Sequence, residues 1–428
     1  MIFLYLRDSE SRYQQYLEDI TEVCRSWRIA ALGNRRLWSR ILIYLQGYHF
    51  VADYEMCKGR LHRYLERSGA APLSVEMTLK ADYWPPRNKD SMARVRNLIT
   101  IISQELSRWE CLSIDFEDVE GIDKWTRRSW KHEPIILLES ILLSPMPCLR
   151  RLSLCGIREY FEDFFFPHVP SLNAFESKGG HTSHLNIPWS SLTSFRYSSN
   201  QYSSDSQQLL QLPQCVRLKD LYIDGIQPDI HELGTAFNCS LPNVVSFQLI
   251  CLPSWEPINI SLANFRLPSL QNLTLVVPHA FWDRSEDTEW PPYMMMAEMS
   301  TAEHIAGFAG TCKVLTLVWR ETLPWHRWAA RCVTSRSVIF DMFNAMPDLE
   351  ELRLSEEISE VFLKVIKEEE TLVPKLSRVF IADTGGLRVP LKLDEVASRW
   401  QKDENRKTKE DPPRYVLCLY WNDSDVWR

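Results

Sequence analysis

Apolar positions recur along this chain in one phrase, apolar-x-x-apolar-x-apolar, often led by a proline. It runs from Leu149 through Leu152 to Leu154 behind Pro147, continues as Leu172-Asn173-Ala174-Phe175 behind Pro170, and returns as Leu192, Phe195 and Tyr197. Three copies then keep strict register: Leu218, Leu221, Ile223; Val244, Phe247, Leu249; and Leu270, Leu273, Leu275, with starts 26 residues apart. Later copies stand at Cys312, Leu315, Leu317, at Leu349, Leu352, Leu354 and at Leu376, Val379, Ile381, and an early one at Trp109, Leu112, Ile114.

The alternating end of the phrase predicts a short strand with one buried face, and the first apolar residue anchors the turn into it. Between phrases the period changes to that of a helix. Val95, Leu98, Ile99, Ile102 and Leu106 share one helical face, as do Val338, Ile339, Met342, Phe343 and Met346, and again Ile358, Val361, Phe362, Val365 and Ile366. Pro147, Pro347 and Pro374 end such helices just before their strands. One helix and one strand cannot bury their apolar faces alone, whereas stacked copies can. The predicted fold is therefore α/β: a leucine-rich-repeat solenoid, a curved stack of roughly ten or more helix-strand units around a parallel sheet. Spacing elsewhere is irregular, with gaps of 20, 23, 37 and 42 residues, so the repeats are degenerate. Insertions are expected near 281–310 and 319–334. The pattern divides the chain into a short helical segment over 1–48 and the repeats over 49–428.

With the leucines turned inward, the residues between them line the opposite, concave face of the sheet. Arg151, Ser153, Asp220 and Thr274 belong to that set, and Arg196, Tyr222, Gln248, Arg353 and Phe380 are its candidate partner-binding residues. Tyr and Arg are common anchors, which singles out Arg196, Tyr222 and Arg353. The competing location is the aromatic loops that carry Trp282, Trp290 and Trp325.

Composition narrows the function classes. A net charge of −7 over 428 residues argues against a nucleic-acid or anionic-membrane surface. The apolar start Met1-Ile2-Phe3-Leu4-Tyr5-Leu6 is cut short by Arg7, and no apolar stretch is long enough to span a bilayer. Eleven cysteines without a C-x-x-C pair read as thiols of a reducing compartment, so a cytoplasmic or nuclear location is expected. Sequons at Asn238, Asn259 and Asn272 are then chance matches. Asp383-Thr384-Gly385 resembles an aspartic-protease motif, yet that chemistry needs two carboxylates and a single copy is present. His181 and His184 have no third ligand at metal spacing, and no phosphate loop or nucleophile elbow occurs. The expectation is a protein-binding chain with no catalytic, cofactor or metal site.

The N-terminal segment carries a different pattern. Val23-Cys24-Arg25-Ser26-Trp27-Arg28-Ile29-Ala30-Ala31-Leu32, followed by Leu37-Trp38, resembles the later helices of the fungal F-box-like family, whose members continue into degenerate leucine-rich repeats. Leu65-Glu66-Arg67-Ser68-Gly69-Ala70-Ala71-Pro72-Leu73 and Val396-Ala397-Ser398-Arg399-Trp400 resemble further stretches of that family. The resemblance implies a substrate-recognition subunit that joins a cullin-based ubiquitin ligase through a Skp-type linker protein. It assigns Val23, Cys24, Trp27, Leu37 and Trp38 to the part that packs the motif and meets the linker. The family's opening L-P-x-E-I-L helix has no counterpart here, so a weak, micromolar linker contact is expected. The other expectation is a scaffold without ligase coupling, in which these helices only cap the repeats.

Overall fold

The computed structural model describes residues 13–46, 50–80, 89–117, 141, 143–156, 169–178, 187–198, 207–226, 239–251, 265–278, 310–320, 336–355, 359, 362–366, 372–382 and 416–418. The chain is α/β and falls into two compact units, Met1–Gln208 and Leu209–Arg428. The helical segment expected over 1–48 lies inside the first of them.

In the first unit, α1 (Tyr13–Val23) and α2 (Arg25–Gly33) lead through a 3-10 turn, Arg35–Trp38, into β1 (Arg40–Gln46). Next come α3 (Phe50–Ser68), β2 (Leu73–Lys80), α4 (Lys89–Ser103), β3 (Trp109–Glu117), β4 (Arg151–Cys155), β5 (Ala174–Lys178) and β6 (Ser194–Ser198). The six strands are parallel and neighbour one another in chain order. Parallel neighbours need a crossover, which α3 and α4 supply for the first three. Ile41, Val75, Leu112, Leu152, Phe175 and Phe195 stand in one buried row across the sheet. On α4 the predicted face is buried at Val95, Leu98, Ile99 and Ile102. Leu106 is not part of it, because the helix ends at Ser103 and a 3-10 turn, Leu106–Arg108, redirects the chain.

The second unit holds β7 (Asp220–Ile226), β8 (Cys239–Ser240), β9 (Ser246–Cys251), β10 (Phe265–Arg266), β11 (Asn272–Pro278), β12 (Val314–Arg320), α5 (Arg336–Asn344), β13 (Glu351–Ser355), β14 (Arg378–Ala382) and β15 (Val416–Cys418). β8 and β10 pair with each other, and the other strands form a parallel sheet in chain order. Leu221, Phe247, Leu273, Leu315, Leu352 and Val379 are laterally in register and buried, so the residues between phrases do not shift the pairing.

The turn before each strand explains the proline. The amide of the first apolar residue donates three residues back: Leu149 to Met146, Leu172 to Val169, Val244 to Leu241, Leu270 to Leu267, Leu349 to Met346 and Leu376 to Val373. Proline stands second in each of these turns, where its fixed φ is preformed. The residue ahead of the proline is a second anchor, buried at Met146, Val169, Leu241, Leu267, Met346 and Val373. Proline therefore sets a β-turn rather than merely ending a helix. Where helical segments were expected between strands, the described residues leading into β6 and β7 are 3-10 instead (Trp189–Ser191 and Gln207–Gln214). Past the turn, one carbonyl of each repeat accepts two successive amides of the next. Lys219 accepts from Val245 and Ser246, Val245 from Gln271 and Asn272, and Gln271 from Lys313 and Val314. That shared acceptor locks the stagger between neighbours.

Candidate functional site

The five residues assigned by the F-box resemblance fall into two environments. Leu37 and Trp38 are buried, with Trp38 edge-on to Tyr64 at 5.2 Å, under the Arg67 guanidinium at 4.3 Å, and donating from Nε1 to the Ala31 carbonyl at 2.8 Å. Glu18 of α1 pairs with Arg63 of α3 at 3.1 Å, which ties the first helix to the same neighbour. Val23, Cys24 and Trp27 do not pack the motif as the resemblance implied. All three are exposed: Val23 ends α1, Cys24 stands between the two helices, and α2 buries only Ala31. At about 100° per residue Ile29 lies across that helix from Ala31, Leu32 to one side of it and Trp27 near it, so α2 presents apolar groups to solvent on more than one side. Val23 is 62% exposed, Trp27 39%, Ile29 63% and Leu32 41%. A residue pattern with no single apolar stripe cannot be sunk into one groove.

On the long strands of the second unit, the face opposite the leucines is graded along their length. Tyr222, Gln248, Thr274, Thr316, Arg353 and Phe380 form its middle row in direct lateral register. The row toward the strand starts is Asp220, Ser246, Asn272, Val314, Glu351 and Arg378, of which Asp220, Asn272 and Arg378 are exposed. The row toward the strand ends contains Ile250, Val276 and Val318, which form a buried apolar cluster with Tyr222 packed against it. The face opposite the leucines is thus covered at its strand-end side and, at Thr316, in its middle row as well. The runs Leu249-Ile250, Leu275-Val276-Val277 and Leu317-Val318 carried that information, since consecutive apolar residues mark a strand covered on both faces.

Four of the five proposed face residues share this middle row, and three of them are already engaged: Tyr222 donates from its hydroxyl to Asp224 at 3.4 Å, and Arg353 and Phe380 meet each other. Arg353 donates from Nε to Glu351, whose other oxygen takes Arg378 at 3.0 Å. The Arg353 guanidinium also lies 5.7 Å from the Phe380 ring centre, a cation–π geometry. Arg353 is therefore a braced group rather than a freely extending anchor. Gln248 differs: its Nε2 is buried and has no hydrogen-bond partner. Arg196 belongs to the first unit, in the row Leu42, Glu76, Ser113, Ser153, Glu176, Arg196. Arg40 clasps Glu76 through Nε at 2.8 Å and a second nitrogen at 3.1 Å beside that row. Cys155 stands on the same face, where burial and the neighbouring Asp115 carboxylate push its thiol up to about 12.

Trp282, Trp290, Trp325, Asp383, His181, His184 and the Val396–Trp400 stretch lie outside the described residues. Among the described residues no three His, Cys, Asp or Glu side chains are placed to hold a metal ion, and no helix is long and apolar enough to cross a membrane.

Comparison with known proteins adds little to this geometry. No family model matches the chain, and no curated protein matches it. Among solved structures it is similar to a Bacteroides fragilis protein determined by a structural genomics consortium, at 12% identity and a TM-score of 0.33. The match covers 78% of this chain and 84% of that one, a likeness too slight to assign a family.

Proposed function

We propose that this chain is a protein-binding adaptor built as a degenerate leucine-rich-repeat solenoid. Its N-terminal helices dock a Skp-type linker of a cullin-based ubiquitin ligase, and its sheet face holds the protein to be modified. The observation that supports this reading is the exposure of Val23, Trp27, Ile29 and Leu32 around α2. A helix that served only to seal a core would turn such side chains inward, and an exposed aromatic among aliphatics is the composition of an interface centre. Trp27→Ala with Ile29→Asp should abolish capture of a purified Skp-type linker without lowering the thermal midpoint. Unchanged capture by the double variant contradicts the assignment of α2.

A second reading has its own support. Leu37, Trp38 and Ala31 are buried, and α1 is salt-bridged to α3, which is what a cap for an exposed repeat end requires. In that case the chain is a scaffold without ligase coupling, and the wild-type protein captures no linker at all.

A further inference from the structure

We infer that the cavity under β1 in the first unit binds a small branched aliphatic carboxylic acid, with its hydrocarbon body among apolar walls and its carboxylate on Arg60. None of Val23, Trp27, Ile29 and Leu32 lines this cavity, so the site goes beyond the docking role of α2.

The walls come from three elements. Ile41 and Ile43 of β1, Leu61 and Tyr64 of α3 and Leu98 of α4 line the cavity, and all five are buried. Arg60 precedes Tyr64 by one helical turn, which sets it in the same wall. The space measures about 90 Å³. Protein interiors leave few voids larger than a water, because an empty one forfeits contacts along its whole lining. An apolar cavity of about 150 Å³ holds a benzene ring, so this one suits a body of about four carbons. Aliphatic walls favour a hydrocarbon over water as the filling. Charge selects the other end of the ligand. The Arg60 side chain is 28% exposed, and its one ion pair among the described residues is with Glu18 of α1, at 3.5 Å. Arg63 takes the same carboxylate more closely, at 3.1 Å. Two guanidiniums thus share one carboxylate. The Arg60 Nε is enclosed, so the terminal nitrogens are the ones left for a ligand, and they make no hydrogen bond to any described residue. The paired donors at the end of a guanidinium match the two oxygens of a carboxylate.

The competing explanation is a packing gap that no ligand fills. Calorimetric titration of the full chain with 3-methylbutanoate decides between them. Its branched body has the size of the cavity, and a ligand this small reaches about millimolar affinity or better. Saturable binding is expected from the wild type. It should weaken about tenfold or more for acetate, which lacks the body, and for 3-methylbutanamide, which lacks the charge. Arg60→Met should bring the acid down to the affinity of the amide. Leu61→Phe and Leu98→Phe each place a ring in the space and should remove binding of both compounds. Two filling positions are used so that a variant whose thermal midpoint collapses is replaced by the other. No saturable binding by the wild type, equal affinity for acid and amide, or a folded filled variant that binds as the wild type does would each overturn the assignment.

Discussion

At the scale of single residues, the most consequential group is Glu351, a buried carboxylate that braces two guanidiniums, Arg353 on its own strand and Arg378 on the next. Glu351→Gln keeps its shape and removes the charge. It should cost about 1–3 kcal/mol, toward the low end because both arginines reach solvent. Chemical denaturation of the full chain measures this. The thiols give a second check. Cys215, Cys239 and Cys312 are buried, and burial pushes each up to about 12 from the ordinary 9.0. A raised folded-state pKa contributes stability that is full below 9.0 and is lost as pH rises through about 12, so these thiols favour unfolding only in strong alkali. Cys24 is exposed and its thiol is lowered by the Ser26 hydroxyl, and Cys148 is exposed as well. Alkylation of the native protein at neutral pH should label Cys24 and Cys148 and spare the other three, as read by peptide mass mapping. Labelling of Cys312 before unfolding would contradict its place in the core.

At the scale of elements, the unit of construction is the turn and its strand together. Leu267 and Leu270 bracket Pro268, both leucines are buried, and the Leu270 amide closes the turn on the Leu267 carbonyl. Leu270→Ala should destabilise by about 2–5 kcal/mol through lost transfer energy and a cavity. Pro268→Ala should cost about 0.4–1 kcal/mol, mainly because the unfolded chain gains freedom. The strands were legible because their period of two is strict: Leu273 and Leu275, or Leu352 and Leu354, fix both the face and the register. The second anchor ahead of each proline was less visible, since an apolar residue before proline carries no periodicity of its own. Helical period alone also misplaced the end of α4 at Leu106, where a 3-10 turn intervenes. The two tryptophans of the N-terminal segment separate packing from binding. Trp38→Ala should cost about 3–5 kcal/mol, while Trp27→Ala should stay within about 0.5 kcal/mol.

At the scale of the molecule, a repeat that cannot bury its own apolar face accounts for both units. Within each, the described strands of the parallel sheet pair edge to edge in chain order, and only the short β8 and β10 stand apart as a pair of their own. The candidate site was partly legible for the same reason. Once the leucines are assigned inward, Tyr222, Gln248, Arg353 and Phe380 must share the other face, and they do share a row. What the pattern did not convey is chemical state: that Arg353 is held by Glu351, that Gln248 has a donor to spare, and that Ile250, Val276 and Val318 close one side. The first depends on a neighbour two residues back on the same strand, which the repeat pattern does not pair, and the last on strands more than twenty residues apart in sequence. The adaptor reading rests most heavily on α2, whose apolar residues face solvent. Its most direct test is calorimetric titration of a purified Skp-type linker into the full chain and into Trp27→Ala/Ile29→Asp. The predicted result is saturable binding by the wild type that weakens at least tenfold, about 1.4 kcal/mol, in the variant at an unchanged thermal midpoint. No heat of binding with the wild type, or equal affinity for both proteins, would contradict it.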